Sequence, residues 1–419
     1  MADAPNRNDH AENARQAKPL DVQEITTRTD TRDILANARA DVKRYHLDDY
    51  YIADIDAHHV ELDNWDEILE YIEDPVLRYN GKAMSKNWPN AGNVALSNHP
   101  PGLTQQDVAG RIPHQAELAE DVPDDGAPRD ITLVRRVMDS LGLDVQIVFP
   151  QPMLEIGLHP SKTIQTQLIK AYNRWFVERV LHFEPRIKTM LALPFSDADA
   201  CMDTIRRYAD HPQVVGFLVT SQRDEAVFEP QYVQVYKELE RLGLPLGFHA
   251  GPDYNVAQAM NRFISVHALS FVTCNMIHLT NWVMNAMPER FPNLDVIWIE
   301  SGLAWMPFMM QRLDHEYLMR QSDAPQLTKL PSEYMREMYY TSQPLEATDM
   351  KLLESTFTAL NAETQLLYSS DWPHWDFDTP ARIANLPFLS ETAKRNILGE
   401  NAKRLFSKLR EEQPQAATG

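Results

Sequence analysis

The chain has 419 residues, 43% of them hydrophobic, which is enough for a large core and more than one ordinary domain of roughly 100–200 residues holds, so two domains or one large α/β barrel is expected. Its 60 acidic against 40 basic side chains leave a formal charge of −20, and no basic block is present to meet a phosphate backbone, which argues against nucleic acid and anionic membranes as partners. Only two cysteines, Cys201 and Cys274, occur, far apart in sequence. They exclude a disulfide framework or a thiolate zinc site and fit a reducing cytoplasm. No apolar run reaches the ~18–20 residues of a membrane helix, and Met1 to Gln23 lacks the apolar centre of a signal peptide.

Residues 1–28 are polar, rich in Ala, Asn and Asp, and without apolar periodicity, the composition of a disordered tail. The spacing of Ile34, Leu35, Ala38 and Val42 predicts a helix over Thr29–Tyr45, capped by Asp30 or Thr31. Short apolar, β-branched runs then predict strands at Ile52–His58, Val145–Phe149, Lys188–Leu193, Val214–Val219, Leu246–His249, Val296–Glu300, Met338–Thr341 and Leu366–Ser370. Helical periodicity fills most intervals between them, as in Thr163–Phe183, Ala198–Ala209, Pro230–Leu242 and Asn275–Met287.

Strands that are apolar nearly throughout and alternate with helices predict parallel strands covered on their outer side. Closure is simplest as a single (β/α)8 TIM barrel over residues 29–408. Residues 78–132, after strand one, are far longer than a usual connection of ~4–6 residues. They are expected to form an insertion that covers the substrate or touches another subunit. Residues 409–419 read as a second disordered tail. No internal repeat and no dinucleotide or P-loop glycine pattern is present.

In such a barrel the reacting side chains stand at the C-terminal ends of the strands. Those ends read Asp56-Ala-His58-His59, Phe149-Pro150-Gln151, Leu193-Pro194-Phe195, Thr220-Ser221-Gln222, His249-Ala-Gly251, Glu300-Ser-Gly302, Ser342-Gln343-Pro344 and Ser370-Asp371-Trp372-Pro373-His374. Strands one, five, six and eight therefore end in metal-capable or acid–base residues. Asp56 and His58, two apart, share one strand face, and His249 and Asp371 join them from strands distant in sequence. Two imidazoles and two carboxylates around one centre suit Zn2+ or Mn2+, with positions left for water or substrate.

Five motifs stand in order: Asp54-Ile-Asp56-Ala-His58-His59-Val-Glu61; Phe248-His249-Ala250-Gly251; Arg290-Phe-Pro-Asn-Leu-Asp-Val296 leading to Glu300-Ser-Gly302 and Trp305-Met-Pro-Phe308; Arg312-Leu-Asp314; and Tyr368-Ser-Ser-Asp371-Trp-Pro-His374. Through them the chain, over roughly residues 51–408, resembles the amidohydrolase-2 branch of the metal-dependent hydrolase superfamily. That branch includes aminocarboxymuconate-semialdehyde decarboxylase and the hydroxybenzoate-type decarboxylases. The resemblance implies one divalent metal, Zn2+ or Mn2+, on Asp56, His58, His249 and Asp371, and no organic cofactor. A second metal is not expected, because binuclear relatives use a carboxylated lysine after strand four and Val214–Asp224 contains no lysine. A homodimer or higher homo-oligomer is also implied.

One departure bears on chemistry. Where strand six of the decarboxylases ends in a histidine that acts as acid or base, this chain has Glu300. Proton transfer is expected from Glu300, whose carboxyl would titrate nearer neutrality in an apolar, metal-bearing pocket, or from His278 in the segment after strand five. His374 and Trp372 are expected to contact substrate. His59, on the strand face opposite His58, is either packed or a further substrate contact, and Glu61 either acts directly or supports the site. Met306–Met310, with Trp305 and Pro307, reads as packing. The expected function is non-oxidative decarboxylation of a small aromatic or enol-type carboxylic acid. The alternative is hydrolysis of an amide, ester, lactone or C–C bond by metal-activated water, with Asp371 or Glu300 taking the proton.

Overall fold

The protein is described by a computed structural model covering residues 31–59, 61–87, 126–222, 224–374 and 376–410. The 1–28 segment, the middle of the 78–132 insertion and the chain beyond 410 lie outside the described residues.

Eight strands, β1 (Ala53–His59), β2 (Val145–Pro150), β3 (Ile187–Ala192), β4 (Val214–Val219), β5 (Leu246–His249), β6 (Val296–Ile299), β7 (Tyr339–Thr341) and β8 (Leu366–Leu367), form one sheet in sequence order. Every pairing from β1·β2 to β7·β8 is parallel. All of these strand residues are buried, because one face fills the barrel and the other meets helices. Alternation assigns the faces. Ile55, Ile147, Met190, Leu218, Ile299 and Leu367 share an inner cluster, whereas Val148, Phe217, Phe248 and Trp298 pack outward in the larger cluster with the helices. Gly247 is required on the inner side, since a Cβ there would lie 2.9 Å from Ile299 Cδ1 and 3.0 Å from Leu218 Cδ1.

The barrel closes between β1 and β8 without a regular ladder. One isolated bridge, Ala57 to Trp372, joins them, with main-chain bonds from Ile55 N to Tyr368 O (3.0 Å), Asp371 N to Asp56 O (2.7 Å) and His58 N to Trp372 O (2.6 Å). The expected strand Leu366–Ser370 is thus shortened. Tyr368 N instead donates to Ile397 O, and Ser369 N and Ser370 N donate to the side chains of Ser342 and Asp54.

The main covering helices are α1 (Thr31–Arg44), α2 (Arg129–Leu141), α3 (Lys162–Trp175), α4 (Ala198–Tyr208), α5 (Val233–Leu242), α6 (Phe271–Met284), α7 (Met306–Met319) and α8 (Met350–Leu360). Side-chain caps start several of them: Ser161 accepts from Ile164 N, Asp197 from Ala200 N, and Asp349 from Lys351 N and Leu352 N. The described edges of the 78–132 insertion are helical, in Pro75–Asn87 and at the start of α2. On α7, Met306, Met309 and Met310 are buried, and Trp305 Nε1 donates to Ser301 O (2.8 Å).

The fold extends past residue 408, where the composition predicts its end. Ser407–Arg410 is helical, and Leu409, assigned to a tail, is 1% exposed because it closes the barrel floor with Ala402, Leu405 and Phe406. Among the described residues no helix is long and apolar enough to cross a membrane.

Candidate active site

β1 carries two of the candidate ligands past an irregularity. Its register against β2 shifts between Asp54 and Ala57, so Ile55 fills the inner cluster and Asp56 and His58 still reach the mouth. His249 ends β5 two residues after the inward-facing Gly247. Glu300 and Asp371 follow β6 and β8 in left-handed backbone, with φ of 53° and 58°. Such a conformation costs a non-glycine residue on the order of 1–3 kcal/mol and persists where its surroundings hold it. Here Glu300 N donates to Thr341 Oγ1 (3.0 Å) and Asp371 N to Asp56 O (2.7 Å).

The side chains converge. His58 Nε2 lies 3.0 Å from Asp371 Oδ1, 3.3 Å from Asp56 Oδ1 and 3.7 Å from Glu300 Oε2. His249 Nε2 lies 3.3 Å from Glu300 Oε2 and 3.4 Å from Asp56 Oδ1. Two overlapping groups result, Asp56–His58–His249–Glu300 and His58–Glu300–Asp371–His374, each with its ligand atoms within 4.8 Å of one another. Glu300 therefore stands inside the cluster rather than beside it.

The donor chemistry fits a cation. Nδ1 of His58 faces Pro150 O (3.1 Å) and Nδ1 of His249 faces Ala250 O (2.7 Å). Carbonyls accept only, so each Nδ1 carries the proton and each Nε2 presents its lone pair to the centre. Both Nε2 atoms, both oxygens of Asp56 and Oδ2 of Asp371 are buried without a hydrogen-bond partner. Several buried polar atoms aimed at one point are costly unless something positive sits between them.

Electrostatics give the same sign. Burial acts to raise the Asp56 carboxyl, but His249 and then His58 overcome it and bring it to about 2. Burial, followed by the neighbouring charge of Glu300, pushes Asp371 well above the usual carboxylate range. Burial disfavours a charged His58, yet Asp371, Asp56 and Glu300 raise it well above an ordinary imidazole. Three carboxylates crowd two inward imidazoles, and a divalent cation removes that conflict.

The rim is tied to the cluster by contacts the sequence did not reveal. His374 Nδ1 is 2.6 Å from Asp371 Oδ1, and its Nε2 is 2.5 Å from Gln151 Oε1. Gln151 is held in turn by Glu61, which is fully buried and accepts Gln151 N (2.8 Å) and Met153 N (2.7 Å). Glu61 thus supports the loop after β2 and is absent from the cluster. Gln151 was visible as the end of strand two, but an amide carries no motif.

Three expectations are corrected by position. His278 lies on α6 behind the barrel wall, its ring 5.6 Å from that of the outward-facing Phe248, and burial lowers it to about 4. It does not face the centre. His59 points into the helix layer, bonded to Tyr172 Oη (2.8 Å) and stacked among Tyr172, Trp175 and Phe176. It is packed in the helix layer rather than directed at the centre. Trp372 is 1% exposed and packs edge-on against Phe377 at 4.8 Å, within the outer apolar cluster. Of the substrate contacts expected from sequence, only His374 touches the clustered polar atoms.

Fold and site together define a metal-dependent barrel enzyme with its centre at the C-terminal mouth. The amidohydrolase family profile matches residues 127–408, and the chain belongs to that family. A γ-resorcylate decarboxylase of Rhizobium sp. (strain MTP-10005) is 25% identical over 339 residues, 75% of this chain and 98% of that protein. The crystal structure of 5-carboxyvanillate decarboxylase from Sphingomonas paucimobilis superimposes with a TM-score of 0.60 at 20% identity, over 85% of this chain and 99% of the other. That of a dihydroxybenzoic acid decarboxylase from Polaromonas sp. JS666, with bound manganese and the inhibitor 2-nitroresorcinol, gives 0.59 at 17%, over 85% and 97%. The solved structures share the fold.

Proposed function

We propose that this protein decarboxylates a small hydroxylated aromatic carboxylic acid without a redox cofactor, using one divalent metal held by Asp56, His58, His249 and Asp371. The observation that carries the reading is the convergence of unpartnered, buried ligand atoms on one point, with a further carboxylate, Glu300, 3.3 Å from His249 Nε2. The decarboxylase relative, similar along 98% of its own length, supplies the substrate class.

A divalent cation held by these residues would supply positive charge that favours a carboxylate substrate. The chain's own residues do the rest. Glu300, fixed through its amide by Thr341, delivers a proton from its carboxyl to the ring carbon that bears the carboxylate. The bond from that carbon to the carboxylate then breaks, CO2 leaves, and the electron pair restores the aromatic ring. Glu300 recovers its proton from solvent. His374, held between Asp371 and Gln151, borders the entry and contacts the ring substituents. Two carboxylates lean toward Mn2+ and two imidazoles suit Zn2+ equally, so both are tested.

We also propose for this protein a cytoplasmic location, which the cysteine usage supports, and a homo-oligomer, which the family resemblance suggests. Its two cysteines are free and buried, and the mass measured by light scattering checks the assembly.

The deciding experiment incubates the Mn2+- or Zn2+-loaded enzyme with a panel of hydroxybenzoates in D2O. CO2 release with one deuterium on the product ring is expected. Incorporation of 18O from labelled water into product without CO2 would overturn decarboxylation in favour of hydrolysis.

A further inference from the structure

Asp54 is buried completely on β1, and its carboxylate reaches across the seam where the sheet has almost no ladder. Oδ1 accepts Ser370 N (2.7 Å) and Asp56 N (3.2 Å), and Oδ2 accepts Ser370 Oγ (2.5 Å) and Gln146 Nε2 (2.8 Å). Ser370 Oγ in turn accepts Trp372 N (3.1 Å). The residues on both sides of Asp371 are therefore tied, directly or through one hydroxyl, to a single carboxylate 316 positions earlier in the chain.

Asp371 itself sits at φ 58°, an uncommon backbone state for a residue other than glycine, which surrounding contacts favour. β8 contributes two strand residues, so regular pairing does not hold it. The clasp on Ser370 and Trp372 does, together with the bond from Asp371 N to Asp56 O. The oxygen that holds Ser370 N, Oδ1, also accepts the amide of Asp56, beside the register shift that turns Asp56 into the mouth.

We propose that Asp54 is a positioning residue for the metal centre: it sets Asp56 and Asp371 in ligating register by clamping the β1–β8 seam. It touches no substrate and no ligand atom. The proposal rests on the metal reading above, and it assigns the first residue of the Asp54-to-Glu61 motif a task of its own, distinct from folding stability in general.

The test is Mn2+ affinity, measured by competition with a chelator, on the full chain. Asp54→Ala is expected to weaken Mn2+ binding by about 10–100-fold, the usual cost of removing a partner that orients metal ligands. Asp54→Asn is expected to rescue it. Its Oδ1 still accepts the amides of Ser370 and Asp56, while its new amide can meet the rotated Ser370 hydroxyl and the unpartnered Gln146 Oε1. Ser370→Ala, which removes the hydroxyl link and leaves Ser370 N in place, is expected to fall between. Leu239→Ala, in the buried core of α5, is the control: it should lower the melting temperature and leave Mn2+ affinity unchanged. Wild-type affinity in Asp54→Ala would overturn the proposal, as would an equal loss in Leu239→Ala. Should Asp54→Ala not fold, wild-type affinity in Ser370→Ala overturns it. A wild-type chain that binds neither Mn2+ nor Zn2+ would remove the metal reading itself, and this proposal with it.

Discussion

At the floor of the barrel, Ala402, Leu405, Phe406 and Leu409 press into the inner cluster, and Lys408 Nζ, arriving from the same segment, donates to the carbonyls of Ala209, His211 and Val214. Apolar atoms meet apolar atoms there, and the Lys408 ammonium is satisfied by three acceptors. At the mouth, the same strands end in Asp56, His58, His249, Glu300 and Asp371, whose facing atoms are buried and in large part unpartnered. Two of these residues stand in left-handed backbone. Both ends belong to one sheet. The floor is arranged for stability, whereas the mouth is left unbalanced in charge and backbone, which is where a binding centre is expected.

The comparison breaks most sharply if the mouth is emptied. His249→Ala, or chelation of the wild type, should take metal content from about one per chain toward zero and turnover to background. Elemental analysis and a CO2 assay check this, and far-ultraviolet circular dichroism should show the fold retained. Mn2+ should restore the chelated wild type and leave His249→Ala inactive.

Glu300→Gln sharpens the assignment within the mouth. Turnover should fall by about 10^2–10^4-fold, the range of a lost general acid, with metal content unchanged. Loss of the metal instead would make Glu300 a ligand and require another proton donor.

Phe406→Ala addresses the floor. A fully buried Phe truncated in a packed core costs about 3–5 kcal/mol, read as a lowered denaturation midpoint. The metal bound per folded chain should not change, and a change would mean the two ends are coupled.

The smallest effect concerns His278, away from both ends. Its pKa is lowered to about 4 by burial, from 6.5. Between those values the unfolded chain takes up a proton that the folded chain refuses, so the contribution of His278 to stability is complete above pH 6.5 and lost as pH falls to 4. The integrated loss is about 3 kcal/mol. His278→Phe, which retains a ring against Phe248, should flatten that acid limb in denaturant titrations, and an unchanged limb would place the acid sensitivity elsewhere.

Much of this was legible in the residues. Eight apolar runs separated by helical periodicity define parallel strands in order, because burial on both faces demands them, and the strand ends name the ligands, because period-two alternation puts Asp56 and His58 on one face. What alternation does not carry is which short strand will fail to pair and what replaces the ladder. Leu366–Ser370 reads as a strand from composition, yet Tyr368, Ser369 and Ser370 give their amides to Ile397, Ser342 and Asp54. His59 ends strand one and His278 lies in the segment after strand five, yet both sit behind the wall in space. Leu409 belongs to the floor only once the barrel exists to receive it.

The sequence by itself determined the barrel, its strand order and which acid, base and metal-capable residues stand near the strand ends, since local periodicity marks the strands. Tertiary structure alone decided the left-handed turns at Glu300 and Asp371, the grip of Gln151 on His374 and the clamp of Asp54 on Ser370. Each of these depends on hydrogen bonds between residues brought together only when the barrel closes, and spacing along the chain holds no record of them.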